Sequence, residues 1–204
     1  MKSNTTKTLI KVALLLVACL FNASCSLLRT NHLEPISKIS AIDKMISIVQ
    51  PELNKNERHL VASQISNAIK KHKIEPQIIV AIIDTESDFK ANKVSSTGDV
   101  SVAQINVEVW NKEFIRMKRQ PMIKRKLKLN QEYALVKMVE ILTIIKSRYG
   151  KKDRNWYARY HSNTQKYKSE YLQKLDIRLK MLAASNRLTP RVASASTQTK
   201  LILQ

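Results

Sequence analysis

The sequence predicts a mainly α protein, a single compact helical domain with at most a minimal β element. Three observations carry that expectation. The 204 residues are 44% hydrophobic, enough for one real core. Glycine and proline number only 2 and 5, too few for a chain of many strands and tight turns. The longest apolar patterns repeat at three and four residues rather than at two.

Taken in order, residues 26–55 are polar and interrupted by Pro35 and Pro51, which predicts a tether with one short helix across Ile39 to Val49. The domain proper is expected over residues 56–186. From Glu57 to Lys73 the positions Leu60, Val61, Ile65, Ala68 and Ile69 recur at helical spacing. Pro76 suits the first turn of a second helix, where its missing N–H costs nothing, and that helix is expected to run to about Ser87. Phe89 to Gly98 carries loop chemistry in Asn92, Ser95, Ser96, Thr97 and Gly98. Val100, Val102, Ile105 and Val107 alternate only approximately, so a short strand and a helical turn both remain open there.

Arg116 to Lys128 is a basic stretch with two readings. It is either a patch that grips wall phosphates or anionic lipid, lining a groove with Trp110 and Phe114, or a solvated loop. Gln131 to Tyr149 gives the clearest helix, with Leu135, Val136, Met138, Val139, Leu142 and Ile145 turned to a core and a stop at Gly150. A short element over Trp156 to Ser162 follows, then a last helix from Gln165 to about Ser185. The Ser/Thr/Ala-rich residues 187–204 have no period and read as a disordered tail. No internal repeat is present.

The first 25 residues read as an export signal: Lys2, Lys7 and Lys11 precede the apolar run Val12 to Phe21, and small residues follow. A permanent span would want roughly 20 apolar residues. An uncleaved anchor is the plainer alternative. Both cysteines, Cys19 and Cys25, fall within this segment, so the mature domain keeps no thiol for a disulfide, a nucleophile or a metal. Leu16-Val17-Ala18-Cys19 and Asn22-Ala23-Ser24-Cys25 both resemble the box cleaved before a lipid-modified cysteine. The expected location is the periplasm, free or as a membrane-anchored lipoprotein.

A net charge of +20, from 36 basic and 16 acidic residues, calls for an anionic environment. For an exported chain that is a membrane or wall surface, and no nucleic acid is expected. A nucleic-acid-binding protein would rest on charge alone and conflicts with the export signal. No cofactor and no metal are expected.

Glu86 is the residue most suited to chemistry. Counting back by fours reaches Ile82 and Ile78 and by threes Ile83, so the carboxyl continues an apolar stripe. A poorly solvated carboxyl at the negative pole of a helix keeps its proton near neutral pH, as a general acid must. The plainer reading is a glutamate that ends a helix beside a cation.

From Ile78 to Gln104 the chain resembles, without a gap, the catalytic core of lytic transglycosylases of the goose-type lysozyme superfamily. The matching residues are Glu86-Ser87, Phe89, Val94-Ser95, Gly98 and Ser101-Val102-Ala103-Gln104, where the family pattern ends Gly-Leu-Met-Gln. Ser101 and Ala103 thus stand in place of Gly and Met. Gln104-Ile105-Asn106 is similar to the branch associated with secretion and conjugation machines. Ala158-Arg159-Tyr160-His161-Ser162, with Tyr171 downstream, resembles the third motif, with His161 where Asn is commoner.

This resemblance implies an α+β lysozyme-like fold and cleavage of peptidoglycan glycan strands. It implies Glu86 as the single catalytic acid and base, with assistance from the muramic N-acetyl group and a 1,6-anhydro product in place of hydrolysis. Tyr160 would orient Glu86 through its hydroxyl, and Ser95, Gln104, Asn106 and His161 would bind the glycan. For Tyr160 the plainer reading is a core aromatic, and for Ser95 and Asn106 it is loop capping. Ser87 reads as a support residue, since none of the four histidines forms a triad pattern with it. Asp84 and Asp88 leave the helix on other faces, and Asp99 alone remains as a candidate second carboxylate. The alternatives are a hydrolytic muramidase on the same scaffold, or a catalytically weak wall-binding subunit of a secretion apparatus.

Overall fold

The structure, a computed structural model, describes residues 36–188, with side chains described to residue 185. The export segment with Cys19 and Cys25, the first part of the expected tether and the tail from residue 189 lie outside the described residues. Chain contacts separate Met1–Ala41 from Ile42–Gln204, and the second unit carries the fold discussed below.

Helix α1 covers residues 36–49. Within the second unit it buries Ile42 and Ile46 completely, at i and i+4 on one face. Helix α2 (Lys55–Ile69) starts at Asn54, whose side chain accepts a hydrogen bond from the Asn56 N–H, and buries Val61, Ala62 and Ile65. Arg58 on α2 pairs with Asp43 on α1 at 3.3 Å.

Helix α3 (Pro76–Ser87) has Pro76 in its first turn, as the sequence predicts. It is buried all round from Ile78 to Asp84, and so runs through the core rather than over it. Even Asp84 is enclosed, its Oδ2 accepting from Arg178 Nε of α7 (Gln165–Leu188) at 2.9 Å. Burial raises the Asp84 pKa despite that guanidinium.

Helix α6 (Gln131–Tyr149) is the second core element, with Leu135, Met138, Ile141 and Leu142 fully enclosed and α2 and the short helix α5 (Lys124–Leu129) packed against it. Asn130 caps its start, accepting from the Tyr133 N–H at 2.8 Å. Its expected stop at Gly150 is observed for a different reason than a left-handed cap. Gly150 is right-handed (φ −59°), and a Cβ there would lie 2.6 Å from the Lys146 carbonyl oxygen.

Two short helices fall where the sequence pattern was ambiguous. Val107–Arg116 forms α4 and Lys124–Leu129 forms α5. The basic stretch is therefore partly helical, and Leu127 within it is fully buried while its lysines are exposed. Val100 to Ile105 is neither a strand nor a helix. It makes isolated antiparallel bridges, Val94 with Val100 and Val100 with Ile105, around a turn over Ser101 to Gln104. A 3-10 turn (Trp156–Tyr160) leads into α7. The fold is thus mostly helical with a minimal β element, as expected. Among the described residues no helix is long and apolar enough to cross a membrane.

Candidate active site

The end of α3, the bridged loop, the start of α4 and the 3-10 turn enclose a cavity of about 530 Å³. Glu86, Ser95, Gln104, Asn106, Tyr160 and His161 all line it. Residues as far apart in sequence as Glu86 and His161 are therefore brought to one place.

Helix α3 delivers Glu86 at its last turn and then stops sharply. Asp88 and Phe89 both take positive φ (52° and 63°), a left-handed break that turns the chain back and buries Phe89. Ser87 is fully buried, and its hydroxyl lies 2.7 Å from the Val102 carbonyl oxygen and 3.0 Å from that of Ile83. It joins helix to loop, a support role consistent with the sequence reading. Lys93 reaches back from the loop, its Nζ donating to the Glu86 backbone carbonyl at 2.7 Å. A cation here complements the negative pole of α3.

The Glu86 side chain is 14% exposed. Burial pushes its pKa up to about 7, and the Asp99 carboxylate adds to the rise, while the Tyr171 hydroxyl, Lys93 and Lys174 oppose it. At neutral pH a large fraction of Glu86 is protonated, the state in which it can give up a proton.

The polar groups around it have largely committed their hydrogen bonds to the loop. Gln104, at φ 44°, donates both amide protons, to Lys93 O and Ser101 O at 2.9 Å each, which leaves Oε1 as its free acceptor. Asn106 caps α4, its Oδ1 accepting from the Val109 N–H at 3.0 Å. Ser95 Oγ accepts from the Asp99 N–H at 3.0 Å and lies 2.8 Å from Thr97 Oγ1. Loop capping, the plainer reading for Ser95 and Asn106, is thus what their oxygens do, although both residues face the cavity.

Tyr160 requires a correction. Its hydroxyl does not donate to Glu86; it donates to the Ala103 carbonyl oxygen at 2.7 Å, in a buried position. The hydroxyl that favours the charged form of Glu86 is that of Tyr171. That hydroxyl is buried and closes no hydrogen bond of full geometry, yet after burial it has the largest effect on the Glu86 carboxyl. The His161 ring stacks on Tyr171 (centroids 4.7 Å apart, planes 12°) and holds Nδ1 3.8 Å from Glu86 Oε1. Burial and Lys174 lower the His161 pKa, so near pH 7 the ring is neutral and the pair is not an ion pair.

Asp99 lines the same cavity. Its Oδ2 accepts from Thr97 Oγ1 at 2.8 Å, while Oδ1 is buried with no partner. Ser101 is fully buried at φ 75°, a conformation that favours glycine. Of the two aromatic residues beside the basic stretch, Trp110 lines the cavity and Phe114 is turned into the core, 1% exposed.

Lys93 and the Glu86-facing role of Tyr171 were missed from sequence. Tyr171 had a weak signal, its place in the third motif; Lys93 had none, because its contact is with a backbone atom.

The family model described as Transglycosylase SLT domain matches residues 63–176, which contain every residue of this cavity. The match supports a glycan-cleaving lytic transglycosylase with peptidoglycan as substrate. Among curated proteins none matches the chain.

Proposed function

The chain belongs to the transglycosylase SLT domain family, and from that premise we propose that it cleaves the N-acetylmuramic acid–N-acetylglucosamine β-1,4 bond with Glu86 as single general acid and base. The observation that carries this reading is a largely buried carboxyl, its pKa pushed up to about 7, on the wall of a cavity that gathers the motif residues.

Protonated Glu86 gives its proton to the glycosidic oxygen as the C1–O bond breaks. The muramic N-acetyl oxygen supports the anomeric carbon. The C6 hydroxyl then bonds to C1 and returns its proton to the Glu86 carboxylate, so the acid is restored and a 1,6-anhydro end forms. Neutral His161 and the Gln104 Oε1 supply hydrogen-bond partners for glycan N–H and hydroxyl groups. Tyr171 supports the charged form of Glu86 midway, and Tyr160 secures the loop through Ala103. Export as a periplasmic protein or lipoprotein, and local wall opening beside a secretion machine, complete the proposal. They rest on the first 25 residues and on Gln104-Ile105-Asn106.

A hydrolytic muramidase is favoured by one observation, the presence of Asp99 in the same cavity, because a second carboxylate is what activation of water requires. Mass spectrometry of muropeptides released by the purified chain separates the two. Anhydro-muramyl ends are expected, and reducing ends would replace this reading with the muramidase.

A further inference from the structure

Helix α4 rises directly from the site. Asn106 is its N-cap, and the Trp110 N–H donates to the Asn106 carbonyl oxygen at 3.0 Å, so Trp110 lies one turn further on, on the same face. Four residues of helix advance about 6 Å. Both residues line the cavity, as does Val109, which is 55% exposed. Trp110 is half-buried, its indole neither packed away in the core nor free in solvent.

The other lining groups are mainly polar: Lys93, Ser95, Thr97 and Asp99 on the loop, Arg159 and His161 at the 3-10 turn. Helix α4 therefore lends the cavity an aromatic and an aliphatic side chain, while the loop and the turn lend it mainly hydrogen-bonding groups. A pyranose ring has that same division, with C–H groups on its faces and hydroxyls or amides around its rim. A tryptophan offers it a large, stiff apolar face with few torsions to freeze.

We propose that Trp110, extended by Val109, is a stacking platform for an N-acetylhexosamine ring of the glycan, one position along from the ring that meets Asn106. This rests on the transglycosylase reading for the identity of the strand, but not on the acid role of Glu86. The platform grips without touching the bond that breaks, so it acts on substrate binding and leaves the chemical step alone.

The chain has only two tryptophans, and the other, Trp156, is 6% exposed and lies off the cavity. Full-length Glu86→Gln protein titrated with tetra-N-acetylchitotetraose is expected to show a saturable change in indole emission. Adding Trp110→Phe should abolish that change, and adding Trp110→Ala should weaken calorimetric binding between about threefold and tenfold. In the otherwise unaltered chain Trp110→Ala should raise KM on glycan strands by a similar factor with kcat nearly constant. An unchanged emission, with or without heat of binding, overturns the platform, and so does Trp110→Ala protein that binds as tightly as its parent. If the emission responds while Glu86→Gln still cleaves glycan, the platform stands and the acid assignment falls.

Discussion

The buried Tyr160 hydroxyl donates to the carbonyl oxygen of Ala103 across 2.7 Å. It ties the 3-10 turn to the loop that follows α3, and it leaves Tyr171 beside Glu86. The two tyrosines consequently divide two tasks. Tyr160→Phe should strand the Ala103 carbonyl and cost about 1–3 kcal/mol of stability, read from the urea midpoint. Tyr171→Phe should instead move the alkaline limb of activity to higher pH, since a group that favours the Glu86 carboxylate is gone. A shift of that limb in Tyr160→Phe alone would reverse the assignment.

Activity should fall as pH rises through about 7, where Glu86 loses its proton. Glu86→Gln should lower kcat by at least about 100-fold, measured as muropeptide release. An unchanged clearing zone in wall zymography would remove Glu86 from the reaction.

The same residue should link stability to pH. In the unfolded chain Glu86 ionises near 4.5 and in the fold near 7, so its favourable contribution is complete below 4.5 and is lost as pH rises through 7. Glu86→Gln has no such proton to lose. Its advantage over the parent should grow across that window to on the order of 3 kcal/mol, followed by denaturant melts at pH 4 and pH 8. Parallel curves for the two proteins would contradict it.

Ser101 holds φ 75° without the freedom of glycine, stabilised by contacts to Lys93 and Gln104. Ser101→Gly should hold or gain stability by up to about 1 kcal/mol, relief of strain outweighing the weak 3.3 Å bond from the Ala103 N–H to Ser101 Oγ. Ser101→Val should lose more than about 2 kcal/mol, because a branched side chain tolerates neither this backbone nor this buried position. The order of thermal midpoints Gly, Ser, Val checks the claim.

Arg178→Met leaves the Asp84 carboxyl enclosed without its cation. Its pKa, already raised by burial, should rise further. Since a raised carboxyl contributes most when protonated, the loss of stability should be felt at neutral pH, at about 2 kcal/mol, and recover as pH falls. Equal losses at pH 4 and pH 7 would show that the pair contributes packing alone.

Helices α3 and α6 were legible because their apolar residues recur at core spacing and because Pro76 marks a start. Helix α4 was not: Val107 and Phe114 are its buried side chains, while Val109 and Ile115 are exposed, so apolar type and burial part company along it. Helix α5 has six residues, too few to display a period. In α1 the helix was legible, expected across Ile39 to Val49, but the full burial of Ile42 and Ile46 was not, because their polar neighbours suggested a tether. At the site, Glu86 and its companions could be named from motif order. The hydroxyl that faces the carboxyl could not, since Tyr160 and Tyr171 differ only in where the turn and α7 place them in three dimensions.

Helix α3 has no solvent face between Ile78 and Asp84, and this separates two kinds of softness in the molecule. Warming or mild denaturant should first loosen the bridged loop and the rim of α4, blunting the grip on a glycan strand, while Glu86 stays at its height until the core itself gives way. Weakened substrate affinity at constant turnover is therefore the expected earliest functional sign of melting, and Glu86 is the last part of the cleft to be lost.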